Sequence, residues 1–198
     1  MKKDIAIIKN LTDIKTRHDL PFFLNKNNLL NKGVELGVLR GEFSKYILNH
    51  WKGKILYSID HWLRSNRHGT INNSHGERKY KITQKRLAKF KDRSIILKKT
   101  SKEARKLFED NSLDFVYIDA DHTEKYVSKD IKYWWPKIKT NGILCGDDYI
   151  QRRDYGVIPA VNTFVEKYNL TLHVDEPTGE VKGRGSSASC SPSWYVSK

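Results

Sequence analysis

The chain has 198 residues, 38% of them hydrophobic, and a formal net charge of +14 from 37 lysines and arginines against 23 acidic residues. That size suits one domain with an adequate core, expected to span 1–198. No long apolar run occurs, which excludes a membrane-spanning helix. The only cysteines, Cys145 and Cys190, make neither a disulfide framework nor a metal-ligand pattern.

The elements alternate along the chain. Residues 1–32 read as a mainly helical lead-in, with Leu20, Phe22, Phe23, Leu24, Leu29 and Leu30 available to cover a sheet. Met1 to Lys9 has too short an apolar stretch for a signal peptide, so a cytoplasmic setting is expected. Gly33 to Gly37 is a short strand, Gly41 to His50 a helix, and Lys54 to Asp60 a strand. A polar loop over 62–76 precedes a basic helix from Glu77 to Lys91. Ser94 to Leu97 is a strand and Lys102 to Phe108 a helix. Phe115 to Ile118 and Ile143 to Cys145 are apolar strands, joined by one helix-length segment. Val157 to Tyr168 carries apolar residues at helical spacing. Leu170 to Val174 and Ser193 to Val196 read as closing strands, and 179–192 is a Gly/Ser-rich segment expected to be a mobile loop. This order predicts an α/β fold: a Rossmann-like, doubly wound, mostly parallel sheet with helices on both faces.

The strands that end in carboxylates are the strongest chemical signal. Phe115 to Ile118 runs into Asp119 and Asp121; Ile143 to Cys145 runs into Asp147 and Asp148. A helical crossover makes the two strands parallel neighbours. Their carboxyl ends then lie side by side, where open α/β sheets bind ligands. Carboxylates so gathered repel unless a cation or proton holds them, which points to a hard divalent metal such as Mg2+.

A second signal is Glu35-x-Gly37-x-x-x-Gly41, which joins the first strand to a helix. The glycines let backbone pass close to a ligand, and the helix start offers free N–H groups. The spacing differs from the Gly-x-Gly-x-x-Gly of dinucleotide binders. Asp60 ends the next strand at about the separation at which an acidic residue holds ribose hydroxyls. His61 and Trp62 follow it, placed either to flank an adenine ring or simply to pack.

Taken with Thr100-Ser101 and Asp119-Ala-Asp-His122, these motifs resemble the class I S-adenosylmethionine-dependent methyltransferases. More narrowly they are similar to the metal-dependent O-methyltransferases. Asp119-Ala-Asp-His-Thr-Glu-Lys125 resembles the Asp-Gly-Asp-His-Ser-Tyr-Glu of macrocin-type sugar enzymes, and the catechol and caffeoyl-CoA enzymes form the other matching branch. The resemblance implies S-adenosylmethionine held by Glu35, Gly37, Gly41, Ser44, Asp60, His61, Trp62, Thr100, Ser101 and Asp119. It implies Mg2+ or another divalent cation on Asp119, Asp147 and Asp148. His122 stands where the caffeoyl-CoA branch has a catalytic lysine, so His122 is the expected base, with Asp154 the alternative. Lys99 in place of a small residue and Thr140-Asn141-Gly142 in place of Pro-Gly-Gly depart from the pattern.

The implied activity is metal-dependent methylation of a hydroxyl on a small molecule, a sugar or glycoside by the Asp-x-Asp-His likeness. The alternatives are an RNA methyltransferase using the basic segment 77–105, a nucleotide-sugar protein with Asp119 and Asp121 as a metal clamp, and an inert scaffold. No nucleic-acid motif accompanies the charge, so only non-specific binding to nucleic acid is expected. No membrane partner is expected, and a homo-oligomer stays open.

Overall fold

Strand β1 (Lys32–Leu36) pairs in parallel with two neighbours, β2 (Ile55–Asp60) and β4 (Leu113–Ile118). The computed structural model describes residues 10–63, 73–176 and 191–198. β3 (Ser94–Lys98) continues the parallel sheet beyond β2, and β5 (Ile138–Gly146) continues it beyond β4. The far edge is antiparallel: β7 (Trp194–Ser197) pairs with β5, and β6 (His173–Val174) pairs with β7. The resulting order, β3-β2-β1-β4-β5-β7-β6, reverses direction between β1 and β4. That switch point opens a crevice at the carboxyl ends of both strands.

Helices cover both faces because successive strand residues point opposite ways. Val34, Leu36, Val116 and Ile118 pack with α5 (Glu124–Trp134) and α6 (Val157–Tyr168). Phe115 and Tyr117 pack with α1 (Leu20–Lys26) and α2 (Glu42–His50). α5 buries Val127, Asp130, Ile131 and Trp134, one stripe at i, i+3, i+4, i+7. α6 buries Val157, Ala160, Val161 and Phe164 on the same spacing and ends at Asn169 in the left-handed region.

Several boundaries differ from the sequence reading. The described lead-in holds two 3-10 turns, Leu11–Asp13 and Arg17–Asp19, before the seven-residue α1. The basic helix α3 (Asn73–Leu87) begins inside the expected polar loop. It gives way to a 3-10 segment, Ala88–Arg93, broken at Lys91 with φ 49°. The helix expected from Lys102 to Phe108 is α4 (Ser101–Ala104) followed by a 3-10 turn, Arg105–Leu107. The strand expected over Leu170 to Val174 shrinks to β6, because only His173 and Val174 reach a partner. The expected loop over 179–192 lies outside the described residues except for Ser191 and Pro192.

Candidate active site

The turn after β1 is built on unusual backbone. Gly37 has φ 85°, and a Cβ there would lie 1.8 Å from the Asp119 carbonyl oxygen. Glycine at 37 is therefore required for β1 to close on β4, where Asp119 N–H donates to Leu36 O. Leu39 follows with φ 54°, a strained value for a bulky residue. Asp60 holds this strain in place. Its Oδ2 accepts from Val38 N–H at 3.1 Å and Leu39 N–H at 3.0 Å, and its Oδ1 accepts from Trp62 N–H at 2.7 Å.

Below the turn, Glu35 points to the α2 side of the sheet because it alternates with Val34 and Leu36. It is 2% exposed, and its Oε2 accepts from the Ser44 hydroxyl, which in turn accepts from Ser58 Oγ at 3.0 Å. Burial pushes the Glu35 carboxyl up to about 8, so it is largely protonated near neutrality.

Above the turn lies a cavity of about 830 Å³. Gly37, Leu39, Asp60, His61, Trp62, Thr100, Ser101, Asp119, Asp121 and His122 all line it. Trp62 forms a buried wall: its indole N–H donates to Leu39 O at 2.8 Å and its ring lies 4.8 Å from Tyr80. His61 Nδ1 accepts from Leu63 N–H. Thr100 caps α4 in a reciprocal pair with Glu103. Ser101 donates to Asp130 Oδ1 at 2.5 Å and accepts from the Trp134 indole at 2.7 Å. Burial raises the Asp130 carboxyl to about 6.

Asp119 and Asp121 line the other end of the cavity, while Asp147 and Asp148 lie outside its wall. Atoms of Asp119, His122 and Asp148 lie within 4.8 Å of one another. His122 Nδ1 is 3.3 Å from Asp148 Oδ2, and its ring stacks on Tyr155 at 4.8 Å. Asp148 sits at φ 58°, turned out of the strand direction just after β5. Burial, with Asp147 and Asp148 nearby, holds the Asp119 carboxyl well above the usual carboxylate range; Arg17 opposes that rise. Asp121 turns away, accepting from both the N–H and the hydroxyl of Thr123 ahead of α5.

Asp147 departs from the expected triad. Its Oδ2 accepts from Arg17 Nη1 at 2.6 Å and its Oδ1 from Ser193 Oγ at 3.2 Å. The expected set Asp119, Asp147, Asp148 is replaced by Asp119, His122, Asp148 as the group whose ligand atoms converge. Three expected cofactor residues, Glu35, Gly41 and Ser44, are not in the cavity wall. Glu35 and Ser44 lie beneath the turn, and Gly41, at φ 74°, packs against Thr83 and Leu87 of α3. Asp154 is exposed at φ 70° and likewise stays out of the wall.

Sequence reasoning missed Arg17, Asp130, Tyr133 and Ser193. Asp130 had a signal, since it shares the apolar stripe of α5 with Val127, Ile131 and Trp134. Arg17 had none: it is far from β5 in sequence and only the fold brings the two together.

A family model described as a methyltransferase domain matches residues 34–149, from β1 through the carboxylates after β5. No curated protein matches the chain by sequence. Among solved structures, an O-methyltransferase from Bacillus cereus in complex with SAH is similar at TM-score 0.63 and 12% identity, covering 96% of this chain and 82% of that one. The O-methyltransferase TomG from Streptomyces achromogenes, involved in tomaymycin synthesis and in complex with SAM, gives 0.58 and 14%, covering 91% and 78%. A spermidine synthase from Thermotoga maritima gives 0.58 and 16%, covering 91% and 57%. The fold is thus shared with proteins of different chemistry, while the family match runs through the Gly37 turn, Asp60 and both acidic strand ends: the chain belongs to the methyltransferase-domain family and has the class I methyltransferase fold.

Proposed function

We propose that the protein is an S-adenosylmethionine-dependent O-methyltransferase, assisted by a divalent cation, that acts on a hydroxyl of a small molecule. The carrying observation is a juxtaposition. One cavity runs from the Gly37 turn and Asp60 to Asp119 and His122, and Asp148 converges on these two from outside its wall. Two solved structures of similar fold are O-methyltransferases by name, with SAH or SAM bound. The adenosine portion fits between Asp60, His61, Trp62, Thr100 and Ser101. The sulfonium end then faces the carboxylate cluster, which is where an acceptor hydroxyl must stand for in-line transfer.

The donor set fits a cation. Two carboxylates just beyond the ends of adjacent strands, with a histidine beside them, match a hard metal that keeps waters and a substrate oxygen. When bound there, such a cation would lower the pKa of an acceptor hydroxyl and fix its angle. Asp119 and Asp148 would hold it. His122 takes the hydroxyl proton: Asp148 beside Nδ1 orients the ring and leaves Nε2 for the acceptor. Tyr155 limits ring rotation by stacking. A sugar or glycoside acceptor is supported by the Asp119-Ala-Asp-His122 pattern.

A second assignment of His122 is favoured by its closeness to both carboxylates. A borderline ion such as Fe2+ or Zn2+ would recruit the imidazole as a ligand. One variant separates the two roles. With His122→Ala, the base role predicts turnover down by about 10²-fold with metal and S-adenosylmethionine affinity kept. The ligand role predicts loss of metal affinity as well.

A further inference from the structure

Three carboxylates, Asp119, Asp147 and Asp148, follow the ends of β4 and β5, and one cation of this chain is already paired with Asp147. Arg17 reaches in from the lead-in, with its side chain 15% exposed against 1% for Asp147. Asp19 Oδ2 accepts from both the N–H and the hydroxyl of Thr16, which fixes the turn that carries Arg17. Its guanidinium lies 5.2 Å from the Phe43 ring centre, and its Nε is buried without a partner among the described residues. Asp147 is held on both oxygens, by Arg17 and by Ser193, whose hydroxyl also bonds the Tyr117 hydroxyl at 3.0 Å. So Asp147 stays out of the converging set while its neighbours Asp119 and Asp148 belong to it.

Charge makes this arrangement more than a structural ion pair. Once a cation displaces their protons, the three carboxylates carry three negative charges, one more than a divalent cation neutralises. Arg17 supplies the missing positive charge without taking a coordination position. We propose that Arg17 is a positioning residue that withholds Asp147 from the metal and trims the site to two net negative charges, matching it to a divalent rather than a trivalent cation. This rests on the metal-assisted reading above. A charge inside a poorly solvated pocket acts strongly over such distances, so its removal is felt at the metal.

The test is calorimetric titration of the full chain with Mn2+ and, separately, Tb3+. Arg17→Met should bind Mn2+ about tenfold or more tighter than the wild type, and Tb3+ should gain more than Mn2+. Damage to the fold does not produce a gain of affinity. Arg17→Met with Asp147→Asn restores two net negative charges and should return Mn2+ affinity to within about threefold of the wild type. Asp147→Asn alone leaves Arg17 uncompensated and should weaken Mn2+ by about tenfold, a loss that adding Arg17→Met reverses, whereas the loss of an Asp147 metal ligand would not be reversed. Unchanged or weaker Mn2+ binding by a folded Arg17→Met, or unchanged binding by Asp147→Asn, overturns the proposal and leaves the metal site standing. A wild-type protein that binds neither ion removes the metal reading, and this proposal with it.

Discussion

The guanidinium of Arg17 stands 2.6 Å from a carboxylate oxygen of Asp147. The pair ties the lead-in to the carboxyl end of β5, with residues 130 positions apart in the chain. Burial pushes the Asp147 carboxyl up, and Arg17 works against that shift. The acidic end of the cavity is therefore organised by a residue outside the 34–149 segment that matches the family. Shortening the lead-in should disturb the site even though every carboxylate remains.

Asp60 has a double duty that one substitution exposes. Its carboxylate satisfies the N–H groups of Val38, Leu39 and Trp62 and also lines the cavity. Asp60→Ala should cost about 1–3 kcal/mol of folding stability from the unpaired N–H groups and weaken S-adenosylmethionine binding by a similar amount. Urea unfolding and calorimetry on the same sample read both. Unchanged cofactor affinity would remove Asp60 from the binding surface and leave it a turn-holding residue.

Glu35 should make stability fall as pH rises. Its carboxyl titrates near 8 in the folded chain because it is buried, against the ordinary glutamate value of 4.5 when unfolded. Between those values the folded state binds the extra proton, so stability declines with rising pH through that window and levels off above it. Glu35→Gln removes the term, flattening the decline by an amount on the order of a few kcal/mol across the window. Melting curves of both proteins from pH 5 to about 8.5 measure it; identical slopes would mean that Glu35 is ionised when folded.

Metal should stabilise the fold. Burial holds Asp119 and Asp147 above the usual carboxylate range; Asp147 and Asp148 add to the rise at Asp119, and Asp148 adds to it at Asp147. A cation between Asp119 and Asp148 relieves that repulsion and binds only the folded state. At about a hundredfold over its dissociation constant it adds roughly 2.7 kcal/mol. Melting temperature should rise with Mg2+ or Mn2+ and fall back with chelator, an effect lost in Asp119→Asn. Identical curves under all conditions would argue against a cation there.

The sheet was legible because its strands are apolar runs that end in punctuation. Phe115 to Ile118 and Ile143 to Cys145 fall within β4 and β5, and the β1 turn announced itself by Gly37 and Gly41. The division of labour within those motifs was not legible. Glu35 sits between Val34 and Leu36, and the period of two sends it under the sheet rather than into the cavity. Asp147 and Asp148 are adjacent in sequence but diverge, because Asp148 takes a positive φ and Asp147 meets Arg17. Pairings made across 130 positions of chain leave no local pattern to read.

S-adenosylmethionine binding is the point on which the account turns. Calorimetric titration of the wild-type chain with S-adenosylmethionine should show one saturable site in about the micromolar range, competed by S-adenosylhomocysteine and not by NAD. The heat should weaken in Asp60→Ala and persist in His122→Ala. No saturable heat with either the cofactor or its demethylated product, from a protein with a cooperative melting curve, would contradict the proposed activity.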